Sequence, residues 1–303
     1  MASEQKHIPV LLDEVMEYLN LFQGAKCIDM TVGLGGHAEK VLEKIAPDGQ
    51  LLCFDRDAET LELAKKRLNA FGERVKFVHS SFENAGAKAK ELGFEKVNAV
   101  LFDLGVSSLQ LNTAERGLSH KNDGPLDMRL DRGEQLTAAY IVNAWKEKEL
   151  ASLFREYGDE PLAERVARAI CKNRPIMRTT ELANIVIGVY RRRGWRRSRI
   201  HPATRVFQAL RMFVNREPEA LKTGLEEALG LLEDGGRMVV ISFHSGEDRI
   251  VKRFFAEQGK RFGNGKILTK KPIVPSAEEV RYNSRARSAK MRVFERCENV
   301  SKV

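Results

Sequence analysis

Residues 26–37, KCIDMTVGLGGH, constrain the fold of this chain more than any other stretch. A short apolar run, Cys27 and Ile28 with Met30 behind, leads into a loop carrying Gly33, Gly35 and Gly36. An amphipathic helical pattern follows over 38–45. Strand, glycine loop and helix in that order let a backbone approach a nucleotide closely. Glycine there keeps a Cβ out of the ligand's path or permits positive φ. The helix N-terminus then presents free N–H groups to a polar or anionic ligand.

Past the loop, the apolar run LLCF ends in Asp55. That is about twenty residues beyond the glycines, where nucleotide-binding chains place a ribose-hydroxyl acceptor. Three glycines alone are equally consistent with a tight turn that binds nothing; the added acid favours a nucleoside site. The spacing is G-x-G-G rather than G-x-G-x-x-G, and Asp29 stands just before the loop. An acid at that strand end repels a pyrophosphate but accepts from an ammonium group. The ligand it suits is S-adenosylmethionine, which carries an amino-acid tail and a sulfonium and no phosphate.

Periodicity extends this unit into a repeating pattern. A helix is expected after residue 10, with Leu11, Leu12, Val15, Met16 and Leu19 on its apolar face. Strands are expected over 26–30, 50–55, 75–78, 97–102, 237–243 and 291–296, and helices over 58–71, 83–92 and 219–232. The turn 233–236 precedes the fifth strand, and 259–290 reads as loop. Short β runs alternating with helices argue a doubly wound, mostly parallel α/β sheet. More than a hundred residues separate the fourth strand from the next sheet helix, far more than a crossover takes. They read as helices, TAAYIVNAW, KELASLFREYG, LAERVARAI, TTELANIVIGVY and ATRVFQALRMFVN. An inserted helical domain over 109–214 is therefore expected, interrupting a sheet domain of 1–108 and 215–303.

Composition is that of an ordinary globular chain, with 43% hydrophobic and 31% charged residues and no apolar run long enough to span a bilayer. The first residues lack a signal-peptide core, so the expected location is cytoplasmic. Cys27, Cys53, Cys171 and Cys297 are scattered without a C-x-x-C pair and read as packing residues rather than disulfides or zinc ligands. The net charge of +9 makes a polyanionic partner plausible.

Open α/β sheets bind ligands at the carboxyl ends of their strands. The groups expected there are Asp29, the glycine loop, Asp55, Phe82, Asp103 and Ser242–Ser245. Phe82 could cover an adenine face, or be plain core. Asp103 could accept from a ligand, or cap its own turn.

The motifs around these positions resemble one family closely. HIPVLLDEV from His7, GLGGH from Gly33, FDRD from Phe54, DLGVSS from Asp103 and ERG near Arg116 run in order along the chain. DGPLDMR from Asp123, HPATRVFQALR from His201, ISFHSGEDR from Ile241 and NSRARS from Asn283 complete the set. Together they resemble the bacterial 16S ribosomal RNA cytosine-N4 methyltransferases of the RsmH/MraW type over nearly the whole length. Gly246, where the family has a larger apolar residue, and a short stretch over 258–275 depart from the pattern.

The resemblance implies a Rossmann-like methyltransferase fold with an inserted substrate-recognition domain. It implies S-adenosylmethionine-dependent methylation of a cytosine amine in the decoding centre of 16S rRNA, within the small ribosomal subunit. Carried onto this chain, the cofactor contacts are Gly33, Gly35, Gly36, His37, Asp55, Phe82, Asp103 and Gln110. On spacing alone His37 reads as a packing residue at the helix start. Asp103 is also the expected catalytic residue, with the Leu104 carbonyl as a second acceptor. Asp127 and Arg129 could shape a base pocket or form a structural ion pair. His244 is a proton acceptor by location or a core histidine.

Positive charge concentrates in RRRGWRRSRIHPATR from Arg191. Arg191, Arg192, Arg193, Arg196 and Arg197 surround Trp195 there, a combination of phosphate contact and stacking suited to unstacked RNA. Arg285 and Arg287 form a second expected RNA-binding patch. Two other readings stay open on the residues: an amino-methyltransferase acting on DNA or tRNA, and a basic NAD-binding or scaffold protein without catalysis. Monomer and homodimer are equally compatible with the sequence.

Overall fold

The computed structural model describes residues 8–194 and 201–297. The chain forms two compact units, residues 1–105 with 218–303 and residues 106–217. The first begins with α1 (Leu12–Tyr18), β1 (Lys26–Asp29), α2 (Gly36–Lys44), β2 (Gln50–Asp55) and α3 (Ala58–Leu68). Then come β3 (Val75–His79), α4 (Ala85–Glu91) and β4 (Val97–Asp103). Asp57 caps α3 by accepting from the Glu59 and Thr60 N–H groups, which fixes where β2 ends and the helix starts.

The second unit is helical. It holds α5 (Ser108–Asn112), α6 (Ala138–Ala144), α7 (Glu147–Gly158), α8 (Ala163–Lys172), α9 (Thr179–Arg191) and α10 (Ala203–Val214). The apolar stripes of α7, α8 and α10 close on one another through Leu150, Phe154, Val166, Ile170, Val206 and Leu210. Each fully buried side chain of this size stabilises the unit by about 1.5–3 kcal/mol. Trp145 and Tyr157 meet Phe213 edge-on at 4.9 and 5.4 Å. The sequence order of helices expected between 137 and 215 is the observed one.

The chain returns to the first unit with α11 (Glu217–Leu231), β5 (Leu232–Ser242), α12 (Ser245–Ala256), β6 (Gly265–Ile267), α13 (Ala277–Tyr282) and β7 (Lys290–Arg296). The sheet order is β3-β2-β1-β4-β5-β7-β6. β1 to β5 pair in parallel, and β7 runs antiparallel to both β5 and β6. Strand order reverses between β1 and β4, the position where open α/β sheets form a ligand crevice. Cores lie on both sheet faces. Val41, Leu42, Leu61 and Val239 belong to one, and Phe54, Phe102, Leu225 and Phe255 to the other.

Two expectations fail locally. The stretch 259–290 is not a loop, since it contains β6 and α13. β6 has only three residues and gains its order by pairing with β7, while Ser276 caps α13 through the Glu279 N–H. Neither signal is periodic enough to stand out in sequence. The expected turn 233–236 lies inside β5: Val97 pairs with Leu232 and Ala99 with Arg237, so four residues bulge from the strand, with Gly235 at φ 76°.

Candidate active site

Three strand tips carry the acids. Asp29 ends β1, Asp55 ends β2 and Asp103 ends β4. The loop after β1 is tied to β2: the Gly33 N–H donates to Asp55 Oδ2 at 3.0 Å, and the Asp57 N–H donates to Oδ1 at 2.9 Å. Asp55 therefore shapes the loop and keeps lone pairs for a further donor. Gly35 is the residue before α2 and sits at φ 78°, a conformation that costs a residue with a Cβ. A Cβ on Gly36 would stand 2.6 Å from Pro9 Cγ, so the chain entering α1 lies directly on the start of α2.

This N-terminal strap, residues 8–11, is tightly held. His37 Nε2 lies 3.0 Å from the Val10 carbonyl. The buried Leu11 adopts φ 54° and donates its N–H to Glu279 Oε1 at 2.9 Å, and Asn283 Nδ2 donates to the Ile8 carbonyl at 3.0 Å. A left-handed leucine persists only where its surroundings over-determine it. The sequence showed HIPVLLDEV as a motif but not that it packs on the glycine loop.

His37 links the strap to the acids. A carbonyl can only accept, so Nε2 carries the hydrogen. Nδ1 is 3.6 Å from Asp103 Oδ2. The Asp103 N–H donates to Thr31 Oγ1 at 2.7 Å, which ties β4 to the glycine loop. Asp103 Oδ1 is buried with no hydrogen-bond partner among the described residues. Thr31, which the sequence reading did not single out, is found only by this contact.

The electrostatics follow from burial. Asp29 is 2% exposed, and burial pushes its carboxyl up to about 8, against the Thr31 N–H bond and with repulsion from Asp103 and Asp55 added. Burial raises Asp55 to about 6 despite its two backbone donors. Burial also raises Asp103, while His37 and Arg285 pull it down and Glu247 adds to the rise. Three carboxyls close enough to repel make a site that suits a cationic ligand and rejects an anionic one. Burial drives the thiols of Cys27 and Cys53 upward, so both are inert packing groups.

The remaining expected residues divide. The Phe82 ring meets Phe102 edge-on at 5.5 Å and lies close over Gly224 of α11; it packs with the core on that face. Gln110 belongs to the helical unit, is 7% exposed, and forms a capping box with Ser107 at the start of α5. Asp127 and Arg129 form a two-pronged ion pair, 2.7 Å on each prong, and Arg129 also donates to the Arg132 and Glu134 carbonyls. That is the structural alternative, a pinned loop. His244 caps α12, accepting at Nδ1 from the Glu247 N–H at 3.3 Å. It is a helix cap, neither free acceptor nor core.

Arg191, Arg192 and Arg193 are exposed at the end of α9. Trp195, Arg196 and Arg197 lie outside the described residues. Arg287 is exposed, but Arg285 is not beside it on a solvent face. Its guanidinium stacks 5.9 Å above the Phe243 ring and is close enough to Asp103 for their charges to interact. The expected second basic patch is thereby split, because the 3₁₀ turn Ser284–Ser288 points alternate arginines to different environments.

A sheet of this order, with β7 reversed and a glycine loop at its switch point, defines a Rossmann-like methyltransferase. The sequence comparisons narrow that class. The chain belongs to the MraW methylase family, whose model matches residues 4–297. Among curated proteins it is 48% identical over 311 residues to ribosomal RNA small subunit methyltransferase H of Geobacter sulfurreducens, covering 96% of this chain and 98% of that one. The protein of that name from Syntrophotalea carbinolica is 47% identical over 308 residues, with coverage of 96% and 98%. That of Dehalococcoides mccartyi is 44% identical over 307 residues, with coverage of 97% and 87%.

Proposed function

We propose that this chain methylates the exocyclic N4 amine of a cytosine in 16S ribosomal RNA, using S-adenosylmethionine. The observation that carries this reading is the set of three strand-tip carboxyls, Asp29 buried and Asp55 and Asp103 half-buried, around a glycine loop at the sheet's switch point, in a chain matched over residues 4–297 by one methylase family. The substrate class rests on the names of relatives 44–48% identical. An acceptor on DNA or tRNA has no observation in its favour. The substrate form is the small subunit or its RNA. Among the described residues no helix is long and apolar enough to cross a membrane.

The residues fit the cofactor. Mutually repelling acids shielded from water suit positive charge, and an ammonium-bearing sulfonium nucleoside brings it. Asp55 would accept from the ribose hydroxyls. Gly33, Gly35 and Gly36 would bring backbone close to the nucleoside, and Asp29 and Asp103 would face its charged portion. His37, Phe82 and Gln110 complete the expected set on the family likeness. The cofactor supplies a methyl group on sulfonium sulfur for in-line displacement, so positioning contributes much of the acceleration.

A cytosine amine is a poor nucleophile because its lone pair is delocalised into the ring. Asp103 and the Leu104 carbonyl would accept its two N–H groups, favouring the pyramidal amine and the positive charge that develops on it. The base must be flipped out or already single-stranded to reach the strand tips. The helical unit, with Arg191, Arg192, Arg193, Trp195, Arg196, Arg197 and Arg287, would hold the surrounding RNA.

Labelled-methyl transfer to 30S particles, naked rRNA, tRNA and DNA, followed by mass mapping of the product base, tests the assignment. Methyl on a cytosine N4 of 16S rRNA is expected; transfer to tRNA or DNA alone overturns it. S-adenosylhomocysteine should raise the melting temperature and NAD should not. Replacing Arg191, Arg192 and Arg193 together with glutamine should reduce the slope of log affinity for RNA against log salt by about 2. Cofactor affinity should stay the same, and an unchanged slope removes these arginines from the interface.

A further inference from the structure

Arg285 sits in a segment pinned on both sides. Glu279 and Asn283 of the preceding stretch hold the N-terminal strap, and Ala286 and Ala289 are buried in the sheet core. Its guanidinium lies above the Phe243 ring. The same ring stands 3.6 Å from where a Cβ on Gly105 would be, two residues past Asp103. The arginine is half-buried, a costly place for a charge without an anionic neighbour. Stacking on an aromatic face suits a planar guanidinium and restrains it.

We propose that Arg285, seated on the Phe243 ring that packs against Gly105 just past β4, is a positioning residue for methyl transfer that sets its cation beside the Asp103 carboxylate, which His37 Nδ1 also approaches at 3.6 Å. This rests on the reading of Asp103 as acceptor of the cytosine amine. An ionised carboxylate opposes the positive charge that develops on the nitrogen, which a protonated carboxyl does not. The charged and titratable groups around Asp103 are His37 on α2, Arg285 on the 3₁₀ turn, Glu247 on α12 and Asp29 on β1. The two acids and burial favour a protonated Asp103; His37 and Arg285 oppose them. A guanidinium keeps its charge across the working pH range. Arg285 is therefore the fixed cation of the set, and Phe243 is the platform that keeps it in place.

The test is the pH dependence of kcat for wild type, R285Q, R285K, R287Q and F243L, with S-adenosylhomocysteine thermal shift reporting the fold. In R285Q the acid limb should move up by about half to one pH unit. That lowers the rate on that limb about 3–10-fold beyond any uniform loss. R285K should keep the limb within about 0.2 unit of wild type, because charge is retained. R287Q should weaken RNA binding and leave the limb alone. An unmoved limb in a cofactor-binding R285Q overturns the proposal, as does an R285K limb that moves as far as that of R285Q. If R285Q fails to bind S-adenosylhomocysteine, F243L decides: its limb should move the same way, and an unmoved limb overturns the proposal. Wild-type turnover in D103N would instead sink the underlying reading of Asp103, whatever Arg285 does.

Discussion

Asp103→Ala should yield a folded protein whose turnover on its RNA substrate is reduced about 10²–10³-fold, the usual loss when one preorganised polar contact to the transition state is removed. The carboxylate is held by its own backbone N–H on Thr31 Oγ1 and by His37 at 3.6 Å from Oδ2. Oδ1 has no partner among the described residues, which is how an acceptor awaiting a donor is arranged. Asp103→Asn keeps the shape and presents either an oxygen or an amide donor, so it should lose nearly as much. Because burial raises the Asp103 carboxyl, ionised Asp103 is a cost to the apo fold at neutral pH. Asp103→Asn should then melt at or above the wild-type temperature at pH 8, which separates lost chemistry from lost structure. Turnover within about threefold of wild type, with cofactor affinity also unchanged, would remove Asp103 from both roles.

Asp29 should make the apo protein less stable as pH rises. Its carboxyl stands at about 8 in the folded chain, through burial first and repulsion from Asp103 and Asp55 after it. An unfolded aspartate titrates near about 4. The folded state therefore binds the extra proton. The stabilisation is complete below about pH 4 and is lost progressively as pH climbs through about 8. The total effect is on the order of 5 kcal/mol, and Asp55, raised to about 6, adds in the same direction. Thermal melts from pH 5 to 8.5 should show a falling melting temperature that Asp29→Asn flattens. Saturating S-adenosylmethionine should also reduce the slope, because a cationic ligand favours the ionised acids. Identical slopes for wild type and Asp29→Asn would mean that Asp29 is not the titrating group.

Much of this molecule was legible before any coordinates. The alternation of short apolar runs with amphipathic helices fixes a parallel sheet, because only helices laid on both faces bury continuous apolar strands. β2 runs from Gln50 to Asp55 as expected, and the inserted helices occupy the stretches whose apolar residues recur with helical period. Strand-tip acids were found because an acid closing an apolar run needs a reason to be there. β6 and α13 were missed because three strand residues and one capped helical turn leave no periodic trace and are stabilised by pairing and packing alone.

The roles of individual charged residues were decided only by the fold. Sequence places Arg285 and Arg287 in one basic run, yet a 3₁₀ turn sends one onto Phe243 near Asp103 and leaves the other in solvent. Asp127 and Arg129 read equally as pocket residues or as a structural ion pair in sequence, and the fold shows their two-pronged bond. His37 reads as packing until its ring is seen bridging Val10 and Asp103. What the chain determined by itself was the set of elements, the order in which they wind, and the chemical types that reach the strand tips, since these follow from local periodicity and turn chemistry. Which acid faces which cation was left to tertiary structure, because Coulomb energies depend on distance and desolvation between residues remote in sequence.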